Sequence, residues 1–250
     1  MHEIIRDVSV FVLLIICSIL IDYKRSIRYW YILLLVFFIG LADNLFNDLI
    51  IAYPSTQIIS SNTWNNYLYC NWSSKFYSIV FALILIFPLK SIITPNEIGL
   101  RLKQNKKSIQ FSLLSILVIF IIASTIGILS KNGPFDIKTL LFLLIMPGLN
   151  EEIIYRGFLL GFLNKIFDRK FKLLGTNFGW GAILTSIVFG LLHGFNLTNN
   201  YQLHFDYITI ILTSTYGFIY ALIRERSGSL VFPIISHSTA DFFNFFLRMI

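Results

Sequence analysis

Apolar residues in this chain come in long unbroken runs and do not alternate with polar ones. Leu, Ile, Val and Phe fill stretches at roughly 5–22, 29–48, 74–90, 108–129, 139–164, 178–196, 206–223 and 229–249, with polar or basic loops between them. A helix needs about 20 such residues to cross the hydrocarbon core of a bilayer. The pattern therefore predicts an all-α fold, a polytopic transmembrane helical bundle of about eight spans. No internal repeat or linker divides it, so residues 1–250 form one integral membrane domain. The first span has only a short fully apolar stretch, and the second runs into Asp43 and Asp48.

Composition agrees. The chain is 56% hydrophobic and only 13% charged, with a mean hydropathy of +0.74. Soluble domains carry about 25% charged residues, and a water-soluble sphere of this size has no room to hide so much hydrocarbon. The net charge of +7 does not indicate a nucleic-acid partner, because its distribution is that of a topology signal. Of the 20 Lys and Arg, fourteen fall in alternate loops, around Lys24–Arg28, Lys90–Lys107, Lys165–Lys172 and Arg224–Arg226. Positive loops mark the cytoplasmic side, which predicts both termini outside. The first apolar run is followed, not preceded, by its basic cluster and lacks a small-residue cleavage site, so it reads as a retained helix. Cys17 lies in an apolar run and Cys70 in a polar loop, and no bond between them is expected. Thr94-Pro95-Asn96-Glu97 has the form of a capping box with Pro at the first helical position. The basic stretch after it reads either as a short helix on the lipid surface or as a charged linker. Residues 55–73 read as a polar external loop.

Ionisable side chains inside spans are costly and mark function. They gather in three late helices: Glu151, Glu152 and Arg156 in the fifth, His193 in the sixth, His237 and Asp241 in the eighth. Glu151 lies about 18–20 Å from either end of its run at 1.5 Å per residue, near mid-membrane. Glu152 and Arg156 are spaced i,i+4 and share a face as a potential ion pair, while Glu151 points about 100° away and has no helical partner. His237 and Asp241 repeat the i,i+4 spacing, with Asn244 continuing the stripe. Phe189 stands one turn before His193. Pro147-Gly148 predicts a kink beside the acidic pair. Each pair alone can be a structural bond; together in three helices they point to an active site.

A buried carboxylate beside a histidine can deprotonate water, and a second histidine can donate to a developing oxyanion. That is hydrolysis by an activated water. No Gly-x-Ser-x-Gly elbow, His-Glu-x-x-His zinc motif or phosphate-binding Gly-rich loop occurs. The set Glu151, His193, His237 and Asp241 also has the chemistry to bind Zn²⁺.

These residues resemble a known family. Glu151-Glu152-Ile153-Ile154-Tyr155-Arg156 resembles the EExxxR motif of the CPBP (Abi) family of CAAX proteases and bacteriocin-processing enzymes, which includes the type II CAAX prenyl endopeptidase. Phe189 through His193 resembles its FxxxH motif, and His237 through Asp241 its HxxxN/D motif, preceded by Ser229-Leu230 and Pro233. The resemblance covers about 139–245 and places the catalytic core in the last four spans. It implies an intramembrane endopeptidase, a peptide hydrolase often labelled a metalloprotease. Glu151 and His193 would activate water, and His237 and Asp241 would face the oxyanion. Glu152, Arg156 and Phe189 would support the site. The glutamate-and-water mechanism requires no cofactor. An ionised Asp donates no hydrogen bond, so Asp241 would act as a neutral acid, orient His237 or ligate a metal, with Asn244 as a donor one turn on.

The expected function is hydrolysis of a peptide or membrane-protein substrate within the cytoplasmic membrane of a bacterium, with the lipid bilayer and substrate as partners and no nucleic acid. The alternatives are a non-catalytic bacteriocin-immunity or regulatory scaffold and a proton-coupled carrier.

Overall fold

The computed structural model describes residues 2–65, 68–198 and 200–250. Eight helical rods stand where the apolar runs predict them. The first half contains α1 (His2–Ile21), the short α2 (Tyr23–Arg28), α3 (Trp30–Ala52) and α4 (Trp72–Leu89). A single turn, α5 (Pro95–Ile98), precedes α6 (Ile109–Leu129). The fifth rod is continuous but changes its winding, from α7 (Ile137–Glu151) through a π-helical segment (Glu152–Leu159) to α8 (Leu160–Ile166). The last three are α9 (Trp180–Gly194), α10 (Tyr207–Ser227) and α11 (Val231–Met249).

Five of these helices, α1, α3, α4, α6 and α10, are long and apolar enough to cross a membrane on their own. Their outward faces carry side chains such as Leu20, Phe87 and Leu129, each at least three-quarters exposed. That surface suits a solvent of lipid tails, not water. Helix ends are capped as their sequences direct: Asp22, Asn71, Asp136 and Asp206 each accept a backbone N–H at the start of α2, α4, α7 and α10, a contribution of ~1 kcal/mol apiece. Cys17 and Cys70 are unpaired.

The fifth rod is the centre of the molecule. Every residue from Glu152 to Leu163 is buried, and apart from the Glu152–Arg156 pair the segment has no charged face, the pattern of a helix enclosed by others. Ile153, Ile154, Phe158 and Phe162 join one core with Phe11 of α1, Val36 of α3 and Val188 of α9. Gly157 and Gly161, one turn apart, let the segment around Ile93 and Ile98 lie directly against the rod; a Cβ on Gly157 would come within 2.8 Å of Ile98 Cγ2.

Of the two readings of the basic stretch after the capping box the linker holds, and the reading of residues 55–73 changes. The Thr94–Glu97 capping box forms, but the helix it starts lasts one turn. Gly99 (φ +83°) ends it in the left-handed conformation, and the basic residues beyond run as an irregular strap towards α10 and α11. Residues 55–73 are more than a polar loop. They contain a hairpin, β1 (Asn62–Trp64) with β2 (Leu68–Cys70), that turns into the bundle. Trp64 packs on Leu140 and Met249 and donates from Nε1 to Pro134 O at 2.8 Å. Two more three-residue hairpins flank α9: β3 (Phe171–Leu173) with β4 (Thr176–Phe178), and β5 (Phe195–Leu197) with β6 (Leu203–Phe205).

Candidate active site

The site is assembled around the change of winding in the fifth rod. Glu151 is the last residue of α7 and Glu152 the first of the π segment. The wider turn re-aims neighbouring side chains, a device often found at functional sites. Gly148 sets the approach of α11: its missing side chain leaves room for Ser238, and a Cβ there would lie 3.0 Å from Ile234 O. That close crossing brings His237 alongside the acidic pair.

Glu152 and Arg156 are both fully buried and joined at 3.1 Å, the i,i+4 pair the spacing predicts. The same carboxylate oxygen, Oε1, accepts from His237 Nδ1 at 2.9 Å. The Arg156 guanidinium lies 4.3 Å from the Phe189 ring centroid and 5.3 Å from that of Tyr220, so its charge sits between aromatic faces. Tyr220 in turn stacks on the His237 ring at 5.1 Å. His237 is therefore fixed on one edge by a carboxylate and on one face by a phenol ring. Its Nε2 faces Asp241 Oδ2 at 3.4 Å and Glu151 Oε2 at 3.8 Å.

His193 is held differently. Its Nδ1 lies 2.7 Å from the carbonyl of Phe189. A carbonyl only accepts, so Nδ1 carries the proton and Nε2 of the neutral ring carries a lone pair. That nitrogen faces Glu151 Oε2 at 3.9 Å. The Phe189 ring packs on the imidazole at 4.4 Å, as its spacing suggests. Glu151 Oε2 has no hydrogen-bond partner of its own; it stands between two histidine Nε2 atoms, just beyond direct bonding distance from each.

The other oxygen, Glu151 Oε1, accepts from Lys75 Nζ at 3.0 Å. Sequence reasoning missed this residue. Lys75 sits in the first turn of α4, outside the motif-bearing stretch, and no local spacing ties residue 75 to residue 151. A second buried link between the same helices escaped notice for the same reason. Asn150 Nδ2 donates to Asp43 Oδ1 at 3.1 Å and to Ser78 Oγ at 2.9 Å, and Ser78 Oγ donates to Asp43 at 2.5 Å. Ser78 is one turn from Lys75, and Asn150 adjoins Glu151. Asp43 and Ser78 thus anchor α7 beside the carboxylate.

A cavity of about 320 Å³ lies against these groups. Lys75, Glu151, His193, His237 and Asp241 supply its polar wall; Pro147, Phe189, Tyr216 and Phe245 are among its apolar lining, and Leu68 and Tyr69 of the hairpin close one side. One expected member is elsewhere. Asn244 does not line the cavity; its amide donates to Ala123 O on α6 at 3.3 Å, because α11 packs closely on α6 at that level.

Among the described residues, no three His, Cys, Asp or Glu side chains converge to hold a metal ion. Glu151, His193, His237 and Asp241 would be the groups to hold an ion: both imidazoles turn Nε2 towards Glu151 Oε2, at 3.9 and 3.8 Å.

Comparison with known proteins gives this arrangement a context. Residues 133–243 match the family model described as type II CAAX prenyl endopeptidase Rce1-like. The chain is also similar, at 31% identity over 110 residues, to an Escherichia coli protein described as "Uncharacterized 24.3 kDa protein"; the match covers 44% of this chain and 44% of that one. The chain thus aligns with less than half of that relative's length. No solved structure matches.

Proposed function

We propose that this chain, whose residues 133–243 belong to the type II CAAX prenyl endopeptidase Rce1-like family, is a membrane-embedded endopeptidase that hydrolyses a peptide bond with a water activated by Glu151 and His193. The observation that carries this reading is the free edge of Glu151. Its Oε2 is unbonded, borders the cavity and faces two imidazole Nε2 atoms. A water in that gap donates to a carboxylate oxygen and to a nitrogen lone pair, which is the environment a nucleophilic water needs.

In this mechanism the water attacks the scissile carbonyl carbon as its proton passes to the Glu151–His193 pair. His237 donates from Nδ1 to Glu152 and, when doubly protonated, from Nε2 into the cavity, where the carbonyl oxygen becomes an oxyanion. Asp241 holds that Nε2–H in place. The carbon–nitrogen bond then breaks as the departing amine takes that proton from the Glu151–His193 pair, leaving a carboxylic acid that releases its own proton to water. Lys75 holds the opposite oxygen of Glu151, so the carboxylate cannot rotate away from the histidines. Glu152, Arg156 and Phe189 keep both imidazoles in register. Every acid, base and donor in this mechanism is a side chain of the chain itself.

The alternating basic loops support an orientation with both termini outside the cytoplasm; the membrane in this proposal is the cytoplasmic membrane of a bacterium. The cavity's apolar lining suits an extended peptide or the unwound segment of a membrane protein.

Cleavage of a mixed peptide library by the purified protein, read by mass spectrometry, tests the proposal. Wild type should cleave, and Glu151→Gln and His193→Ala should each lose ~10²–10⁴-fold. Full function in cells with folded Glu151→Gln would rule out the hydrolase and favour the immunity or regulatory scaffold.

A further inference from the structure

At the basic end of the bundle, sharing no lining residue with the candidate active site, lies a larger cavity of about 610 Å³ that the proposed chemistry does not use. It sits where the strap after α5, the end of α8, the β3–β4 hairpin and the end of α10 meet. Five cationic side chains line it, with two carboxylates. Both carboxylates are taken: Glu97 by Lys165, and Glu225 by Arg169 at 2.6 Å.

The remaining three cations, Arg101, Arg224 and Arg226, have no carboxylate within ion-pair distance among the described residues. They bond to neutral oxygens. Arg224 donates to the carbonyls of Glu97 at 2.5 Å and Ile98 at 3.3 Å. Arg226 donates to Leu174 O at 2.5 Å and covers the Phe111 ring. Arg101 reaches Asn105 and Ser227 O, while its buried Nε has no partner. The negative end of the α10 dipole offsets about half a charge at most.

The backbone makes room for this cluster. Gly99 (φ +83°) lies against the Arg224 guanidinium and Gly228 (φ +70°) against that of Arg101. A side chain at either glycine would be strained by its own backbone and would strike a guanidinium. The arginines are thus seated by the fold and do not merely crowd a surface.

A second feature adjoins the first. Arg101 also lines an apolar groove of about 300 Å³ walled by Leu100, Leu102, Leu230, Val231 and Ile234. Leu102 is 88% exposed, a position that suits contact with a hydrocarbon chain. The cavity and groove together pair three guanidiniums that have no ion-pair partner with an acyl-sized slot.

We infer that this end of the bundle binds an anionic phospholipid, its phosphate held by Arg101, Arg224 and Arg226 and an acyl chain lying along the groove from Leu100 to Ile234. Guanidinium forks match phosphate oxygens in pairs, and basic pockets between membrane helices on the cytoplasmic side hold anionic headgroups. Free phosphate shares the headgroup chemistry but leaves the groove empty.

Native mass spectrometry of the intact detergent-purified chain tests this. The protein is mixed with equal amounts of phosphatidylglycerol and phosphatidylcholine, and separately with water-soluble glycerol phosphate. One phosphatidylglycerol per chain should be retained about tenfold over phosphatidylcholine. Arg101→Gln with Arg226→Gln should abolish that preference, and the charge-matched Lys103→Gln with Lys107→Gln on the same strap should keep it. Arg224 is left intact because it ties α5 to α10. If the double variant fails to fold, Arg226→Gln alone should reduce the preference, and the wild-type lipid ratio stands by itself. Equal retention of the two lipids, an unchanged preference in the arginine variants, or glycerol phosphate binding as tightly as the lipid would each overturn the inference.

Discussion

Lys75 Nζ lies 3.0 Å from Glu151 Oε1, joining the first turn of α4 to the last residue of α7 across a sequence separation of 76. The bond occupies one oxygen of the carboxylate and leaves the other facing His193 and His237. Replacing Lys75 by Met should free Glu151 to rotate and leave its buried charge without its closest cation. Peptide cleavage should fall by ~10–100-fold, the scale of one charge-assisted hydrogen bond. Lys75→Arg should recover part of that loss. Equal kcat/KM in wild type and Lys75→Met would remove the residue from the site.

Asp241 stands 3.4 Å from His237 Nε2 and is part-exposed to the cavity. Asparagine at that place keeps an oxygen for the imidazole N–H and adds donors towards the oxyanion. Asp241→Asn should therefore retain activity within about tenfold of wild type, while Asp241→Ala loses a further order of magnitude or more. Collapse of Asp241→Asn with intact folding would show that the carboxylate's charge is needed.

Arg156 is buried completely and neutralises Glu152. Arg156→Met leaves that carboxylate charged, buried and held by His237 alone. Removing one partner of such a pair costs ~3–5 kcal/mol, so the variant should unfold at markedly lower temperature in detergent. The double change Arg156→Met with Glu152→Gln should recover much of the stability without the activity.

Metal removal gives a separate readout. Because the Glu151–His193 mechanism uses only side chains and water, exhaustive chelation should leave cleavage unchanged, and elemental analysis should find less than one equivalent of zinc per chain. Loss of activity on chelation, with recovery on adding Zn²⁺, would replace the proposed water activation by Lewis-acid chemistry.

Glu97 supplies a pH dependence outside the spans. Burial pushes its carboxyl up, but the bonds from Lys165 and from the Thr94 backbone and hydroxyl outweigh that and hold it below its ordinary 4.5. A lowered folded-state value means the contribution is present in full above pH 4.5 and is lost as the pH falls through the lower value. Hydrogen exchange across residues 94–101 should accelerate over that acid range in wild type and lose the dependence in Glu97→Gln.

Much of this architecture is written locally. Apolar runs of bilayer length leave helices as the only backbone arrangement that satisfies its own hydrogen bonds in lipid, so rods appeared at all eight expected positions. The i,i+4 geometry of a helix made Glu152–Arg156, Phe189–His193 and His237–Asp241 legible as neighbours, and the three motifs lie within residues 133–243, which match the Rce1-like family model. Other contacts depend on which faces of distant helices meet, and periodicity does not encode that. Lys75 reaches Glu151, and Asp43 and Ser78 reach Asn150, only because α3 and α4 pack beside the fifth rod. Asn244 lies on the motif's helix yet bonds to α6, since α11 packs against α6, α7 and α10 and its register sets which one each residue faces. The short hairpins left no alternation long enough to read. The π segment, too, arises from packing: every residue in it is buried, and its winding follows from how those side chains fit their neighbours. Local spacing along single helices thus determined the membrane rods and the paired site residues, while helix-to-helix packing decided which oxygen of Glu151 is tied to Lys75 and which is left free to face the two histidines.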